Sequence, residues 1–198
     1  MIKRLFDLLF SFFGLLIFSP LLLIISLIIK FNDGGSVFYM ATRVGLNGKL
    51  FRMFKFRTMI VNADKIGPSS TTSSDHRITP IGHLLRKYKL DEIPQFINVF
   101  IGDMSIVGPR PEVKKFTDLF TEEEKAILSV KPGITDWASI WNPDEGSILE
   151  GAEDPDKAYM ELIWPQKKLL QMKYVQSRSL INDIKIIFLT LKAIFFKN

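Results

Sequence analysis

Asp91 and Glu92 stand side by side in Leu90-Asp91-Glu92-Ile93-Pro94, where Ile93, Phe96, Ile97 and Phe100 set an apolar stripe at helical spacing. The spacing predicts Asp91 as N-cap and Glu92 in the first turn, with Pro94 tolerated because early helix N–H groups lack intrahelical partners. Simple capping explains such a pair. A second reading has the carboxylates kept ionised by the positive helix end and nearby Arg86, available as nucleophile or as magnesium ligand. Neighbours on a helix point about 100° apart, so the two acids can serve different partners. Arg110 lies between Pro109 and Pro111, which limit the entropy lost in presenting a guanidinium, a planar fork suited to phosphate. Leu50 to Met59 partly alternates apolar and polar, and Arg52, Lys55 and Arg57 make either a solvated basic face or an anion-binding one. With no cysteine and only His76 and His83, thiolate, Fe–S and zinc-finger chemistry are excluded. Carboxylate, hydroxyl, lysine and arginine chemistry remains.

The elements that must position these groups fit within 198 residues, enough for one domain with a core. Leu8 to Ile29 carries no charge, about the length of a bilayer-crossing helix, and no small-residue cleavage site follows it. Ser19-Pro20 interrupts the run. Two topologies stay open: a bent spanning anchor, or a helix-break-helix that enters one leaflet and returns to the same face, Ser19 bonding backbone groups that Pro20 frees. Of the net charge of +5, Lys3, Arg4, Asp7 and Lys30 supply +2, leaving +3 to a body that suits an anionic membrane face or phosphate ligands.

Beyond Lys30 the pattern predicts an α/β (α+β) unit, mostly helical with a short sheet. Strand signals lie at Val37 to Met40 and Leu50 to Met59, with a turn at Asn47-Gly48. Pro68 to Asp75 is a polar loop or lid. Thr79 caps a helix with Pro80 at its first position. Pro132 to Thr135 reads as a turn, and Trp137 and Trp141 as loop aromatics that pack on the core or stack on a base. Ser179 to Phe196 puts Leu180, Ile184, Ile187, Phe188, Leu191 and Phe195 on one face, with Asp183, Lys185, Lys192 and Lys197 elsewhere; it is either a core helix or an interfacial one.

Taken together, several segments resemble the bacterial sugar transferases, small monotopic phosphoglycosyl transferases. They are Lys3-Arg4 with Asp7 before the broken apolar run, Arg43 to Asn47, Phe54 to Met59, Leu90 to Gln95, Gly102 to Ser105, Gly108 to Pro111, Lys131 to Thr135, and Tyr174 with Ser179-Leu180 and Asp183 to Lys185. The resemblance implies a re-entrant membrane helix over residues 1–31, broken at Ser19-Pro20, and a membrane-associated catalytic domain over 32–198 on the cytoplasmic face of the bacterial inner membrane. It implies transfer of a phosphosugar from a UDP-sugar to polyprenyl (undecaprenyl) phosphate with release of UMP. Asp91 would be the nucleophile and Glu92 its dyad partner, with Mg²⁺, or Mn²⁺, held by both. Arg110, Arg86, Lys55, Arg57 and Arg43 would contact phosphate or substrate. Membrane lipid is a further implied partner, a homodimer is allowed, and nucleic acid is not expected. The chain departs from the family pattern at Asp136 to Trp141, where Gly is usual after Pro-Gly-Ile-Thr, and at Leu170-Gln171, where an aspartate is usual. Two other classes are alternatives to this reading. A membrane-anchored basic binding protein would show a groove-reading helix or an aromatic RNA-binding pattern, and a multi-span CDP-alcohol type phosphotransferase needs several long apolar runs; the sequence has neither.

Overall fold

The computed structural model describes residues 1–68 and 70–195. Ser69, Phe196, Lys197 and Asn198 lie outside the described residues, as does the side chain of Phe195.

Helix α1 (Ile2–Asp33) runs unbroken through Ser19-Pro20. Pro20 has no N–H for the carbonyl of Leu16, and Ser19 Oγ donates to that carbonyl instead at 2.8 Å. The substitution keeps the helix intact where the sequence predicts a break. Gly34, at φ +71°, ends it by donating to Lys30 O. One face of α1 is attached to the body on both sides of Leu16 to Pro20, whose residues are all exposed. Arg4 donates to Val99 O and Phe100 O at 2.6 and 2.8 Å. Asp7 is buried and accepts from Ser105 Oγ and Ile106 N. A Cβ on Gly14 would stand 3.2 Å from the Phe96 ring, so glycine permits close packing there. Ile25 and Ile29 pack with Phe56 and Leu85. The opposite face, including Leu9, Phe12, Phe13, Leu16 and Ile24, is exposed.

Strands β1 (Phe38–Val44) and β2 (Leu50–Phe56) pair antiparallel, Val44 opposite Leu50 and Phe38 opposite Phe56. Asn47 and Gly48 take positive φ in the connecting turn, as Asn-Gly predicts. Helix α2 (Pro80–Lys87) is capped by Thr79, whose Oγ1 accepts from Gly82 N at 3.0 Å. Helix α3 (Gln95–Ile101) starts later than the sequence suggests. Asp91 is not an N-cap: Leu90–Glu92 form a 3₁₀ turn after Lys89, which takes φ +56°, and Pro94 precedes α3. Tertiary contacts at the two acids, rather than capping, decide this local geometry.

Strand β3 (Ser105–Val107) pairs in parallel with β4 (Gly133–Thr135), so the segment expected to turn at Pro132 is a strand. Its glycine meets Gly108 so closely that a Cβ on Gly133 would lie 2.1 Å from Gly108 N. After the short helix α4 (Lys114–Thr117) and β4 come α5 (Trp137–Trp141), α6 (Glu145–Ile148), α7 (Pro155–Ala158), α8 (Trp164–Ser177) and α9 (Leu180–Phe195), with one π-helical turn at Tyr159–Ile163 before α8. Trp137 and Trp141 therefore sit on a helix capped by Asp136, not in a loop; Trp137 packs against the main core and Trp141 is exposed. The polar loop is docked: Ser70 N donates to Asp156 Oδ1 and Ser73 N to Gly146 O.

In α9 the apolar stripe faces outward. Phe188 is 70% exposed and Ile184 and Leu191 are also exposed, while Ile186 and Asp183 are buried. Asp183 pairs with Lys3 at 2.8 Å and accepts from Tyr174 Oη at 2.9 Å, which explains how a carboxylate takes the core side.

Candidate functional site

The turn at Lys89 to Glu92, the end of β2 and the segment after β3 converge on the two acids. Lys89 holds a left-handed backbone unusual for a side-chain-bearing residue, which swings the chain from α2 into the 3₁₀ turn. Both acidic side chains are buried there. Glu92 is fully engaged. Its Oε1 accepts from Lys55 Nζ at 2.7 Å and from Arg110 Nη2, and its Oε2 from Arg110 Nη1 at 3.1 Å. Arg110 and Lys55 hold its carboxyl well below the usual carboxylate range against the opposing effect of burial.

Asp91 is the reverse case. Only 7% exposed, it keeps Oδ1 buried without a hydrogen-bond partner among the described residues. Burial pushes its carboxyl up, adjacent Glu92 adds to the rise, and Lys55, Arg86 and Lys89 oppose it. The pair thus holds one satisfied acid and one desolvated acid with a free oxygen, and such an oxygen is a better nucleophile or metal ligand than a saturated one.

The sequence-predicted cations divide. Lys55 and Arg110 are at Glu92. Arg86 lies within electrostatic reach of Asp91, its Nε donating to Thr58 Oγ1 at 2.9 Å, and burial lowers its pKa. Arg43, beside Glu112 and Arg110, flanks the group. Arg57 is elsewhere: its guanidinium clamps Asp33 through two contacts, at 2.6 and 2.5 Å, and donates to Ser36 O and Met59 O. It lies one residue beyond β2 and ties the end of α1 to the body; two-residue periodicity put it with Lys55, but Asp33 draws its guanidinium away.

Sequence reasoning missed a second charged cluster bordering Arg110. Lys167, buried in α8, pairs with Glu112 at 2.6 Å and Glu145 at 2.8 Å and donates to Tyr159 Oη at 2.9 Å. The two acids hold its pKa well above the ordinary value despite burial, and Glu145 also reaches Arg110 electrostatically. Glu112 two residues after Arg110 was the available signal. Both departures from the family pattern also meet at Arg110: Asp136 Oδ2 accepts from its N–H and Gln171 Nε2 donates to its carbonyl, each at 3.2 Å.

No group of three or more His, Cys, Asp or Glu residues placed to hold a metal occurs among the described residues. The orphaned Asp91 oxygen fits a hard cation such as Mg²⁺ that draws its other ligands from a substrate diphosphate.

Helix α1, long and apolar enough to cross a membrane, is fastened along a domain that holds a buried carboxylate pair ringed by lysine and arginine, a set suited to phosphate chemistry. Comparison with known proteins makes the class specific: the chain belongs to the bacterial sugar transferase family, which matches residues 1–197. It is 37% identical over 209 residues to the exopolysaccharide production protein ExoY of Rhizobium meliloti (strain 1021), covering 98% of this chain and 85% of that one. It is 35% identical over 196 residues to the UDP-N-acetylgalactosamine-undecaprenyl-phosphate N-acetylgalactosaminephosphotransferase of Aeromonas hydrophila, covering 98% of this chain and 43% of the relative. It is 37% identical over 196 residues to the UDP-glucose:undecaprenyl-phosphate glucose-1-phosphate transferase of Escherichia coli (strain K12), covering 96% and 39%.

Proposed function

We propose that this protein transfers a phosphosugar from a UDP-sugar to undecaprenyl phosphate and releases UMP, through a covalent phosphosugar on Asp91, as a membrane step of extracellular polysaccharide synthesis. The observation that carries the reading is the contrast within the pair: Glu92 saturated by Lys55 and Arg110, Asp91 with a free buried oxygen. The relatives from Aeromonas hydrophila and Escherichia coli are named for this reaction with different sugars, so the sugar is left open.

In the first step an Asp91 carboxylate oxygen attacks the β-phosphorus of the UDP-sugar. The bond from that phosphorus to the oxygen bridging the two phosphates breaks, and UMP leaves with the electron pair. In the second, a phosphate oxygen of undecaprenyl phosphate attacks the same phosphorus and expels the Asp91 carboxylate, giving an undecaprenyl diphosphosugar. Arg110, Arg86 and Arg43 neutralise the phosphates, and the arginines' planar forks orient them for in-line attack. Glu92 holds Arg110 and Lys55 in register and opposes the lowering of the Lys55 pKa by burial. The free Asp91 oxygen would hold Mg²⁺ together with the substrate diphosphate, and the cation when bound would offset charge there.

Attachment along α1 supports the same topology at every scale of the site. A body fastened to Arg4, Asp7, Gly14, Ile25 and Ile29 leaves Leu16 to Pro20 as the longest stretch of α1 exposed throughout, too short to cross a bilayer, so the helix stays in one leaflet with its exposed face in lipid. The exposed stripe of α9 lies in the same interface, and the site meets the lipid-borne phosphate at headgroup level, facing the cytoplasm where UDP-sugars are found.

The test is UMP release by detergent-solubilised protein from a panel of UDP-sugars, with and without undecaprenyl phosphate, followed by intact-protein mass spectrometry. A phosphosugar increment without lipid acceptor, lost in Asp91→Asn, is expected. Mapping of the increment to Glu92, or its persistence in Asp91→Asn, overturns the assignment.

A further inference from the structure

Pro109 and Pro111 have no N–H, so Arg110 supplies the lone backbone donor of that tripeptide, and β3 has already ended at Val107. No strand ladder holds this N–H. It goes to Asp136 Oδ2 at 3.2 Å, at the junction of β4 and α5, and the Arg110 carbonyl accepts from Gln171 Nε2 at 3.2 Å, from the middle of α8. Both side chains are 0% exposed. Asp136 is itself fixed, its Oδ1 accepting from Ser139 N at 2.7 Å and Ser139 Oγ at 2.8 Å.

Holding one residue's backbone in this way is costly. A buried carboxylate and a buried amide are both desolvated, and Gln171 Oε1 is left without a partner among the described residues. Packing alone would favour apolar side chains at both places. What the two groups achieve is a guanidinium whose base cannot rotate: the prolines fix φ on either side of it and the two side chains fix the peptide planes on both sides of its Cα. The Asp136 charge also helps keep Arg110 cationic.

We propose that Asp136 and Gln171 are positioning residues that act through Arg110, clamping its backbone from two separate elements so that its guanidinium meets the transferred phosphate in one orientation. The inference rests on the phosphoglycosyl transfer reading and goes beyond it, since neither residue touches substrate.

The experiment is a double-mutant cycle on single-turnover UMP release, with enzyme in excess so that slow variants remain measurable. Gln171→Met preserves volume and helix propensity but removes the donor to Arg110. Asp136→Ser keeps an oxygen able to cap α5 but is too short to retain both bonds, and it provides an independent arm if the first variant does not fold. Misplacement of a phosphate-binding group by an ångström costs up to about 100-fold, so each variant is expected to slow release roughly 10- to 100-fold in the wild-type background. In an Arg110→Lys background, where the oriented fork is already gone, the same changes are expected to cost less than about 3-fold. An equal loss in both backgrounds means that the two residues only support the fold, and overturns the proposal. Absence of UMP release by the wild-type protein with every UDP-sugar would instead refute the underlying reading.

Discussion

Neutralising the two adjacent acids should move stability in opposite directions. Asp91→Asn removes a buried carboxylate whose Oδ1 has no partner and whose ionised form burial disfavours. Relief of such a group is worth about 1 kcal/mol at neutral pH. Glu92→Gln takes the charge from between Lys55 and Arg110, leaving two cations without their shared counter-ion. Breaking a buried pair costs 3–5 kcal/mol, and because Lys55 and Arg110 side chains retain 20% and 26% exposure the low end, about 3 kcal/mol, applies. For a chain of this length 1 kcal/mol moves Tm by roughly 2–4 °C. Asp91→Asn should therefore melt about 2–4 °C above the wild type and Glu92→Gln about 6–12 °C below it. Thermal unfolding in one detergent, near neutral pH and without substrate, measures both. Equal shifts, or a Glu92→Gln variant more stable than Asp91→Asn, would refute the division of roles drawn from the hydrogen bonds.

The raised Asp91 carboxyl must be ionised to attack, so adduct formation should fall on acidification beginning above the ordinary carboxylate range, read from a pH series of single-turnover rates. Glu92, held low, contributes stability that is fully present above its unfolded value and lost as pH falls through its folded one; Tm should drop at strongly acidic pH in the wild type and stay flatter in Glu92→Gln. Stripping divalent cations with excess EDTA should abolish UMP release and added Mg²⁺ restore it, whereas full turnover in EDTA would contradict a cation at the dyad. Cysteines introduced at positions 2 and 36 should both be labelled from the cytoplasmic side in spheroplasts; labelling from opposite sides would establish a spanning helix.

Much of the architecture was legible where one local rule dominates. The Thr79 cap, the Asn47-Gly48 turn and the antiparallel pair around it follow from side-chain capping and positive φ, interactions that need only near neighbours. Ser19 relieving Pro20 is similarly local. Rules of spacing failed where distant partners decide. The period of α9 identifies its stripe but not which side faces inward, because Lys3 and Tyr174, which draw Asp183 into the core, are remote in sequence or on another helix. Asp91 resembles a cap in sequence, but burial beside Glu92 sets its geometry. At the site, residue types pointed to Asp91, Glu92, Lys55 and Arg110, whereas Glu145 and Lys167 become neighbours of Arg110 only once α6 and α8 are packed.

The ion pair between Lys3 and Asp183 joins the first turn of α1 to α9. The ribosome makes these two residues about 180 positions apart, which at 5–20 residues per second is an interval on the order of 10–40 s. During that time α1 lacks a counter-ion it will later hold, and Asp7 must wait for Ser105 and Ile106 as well. Helix α1 is thus made well before the partners that complete its docking. Deleting α9 should leave α1 incompletely docked although every residue of α1 is intact, so damage in α9 would be felt in α1.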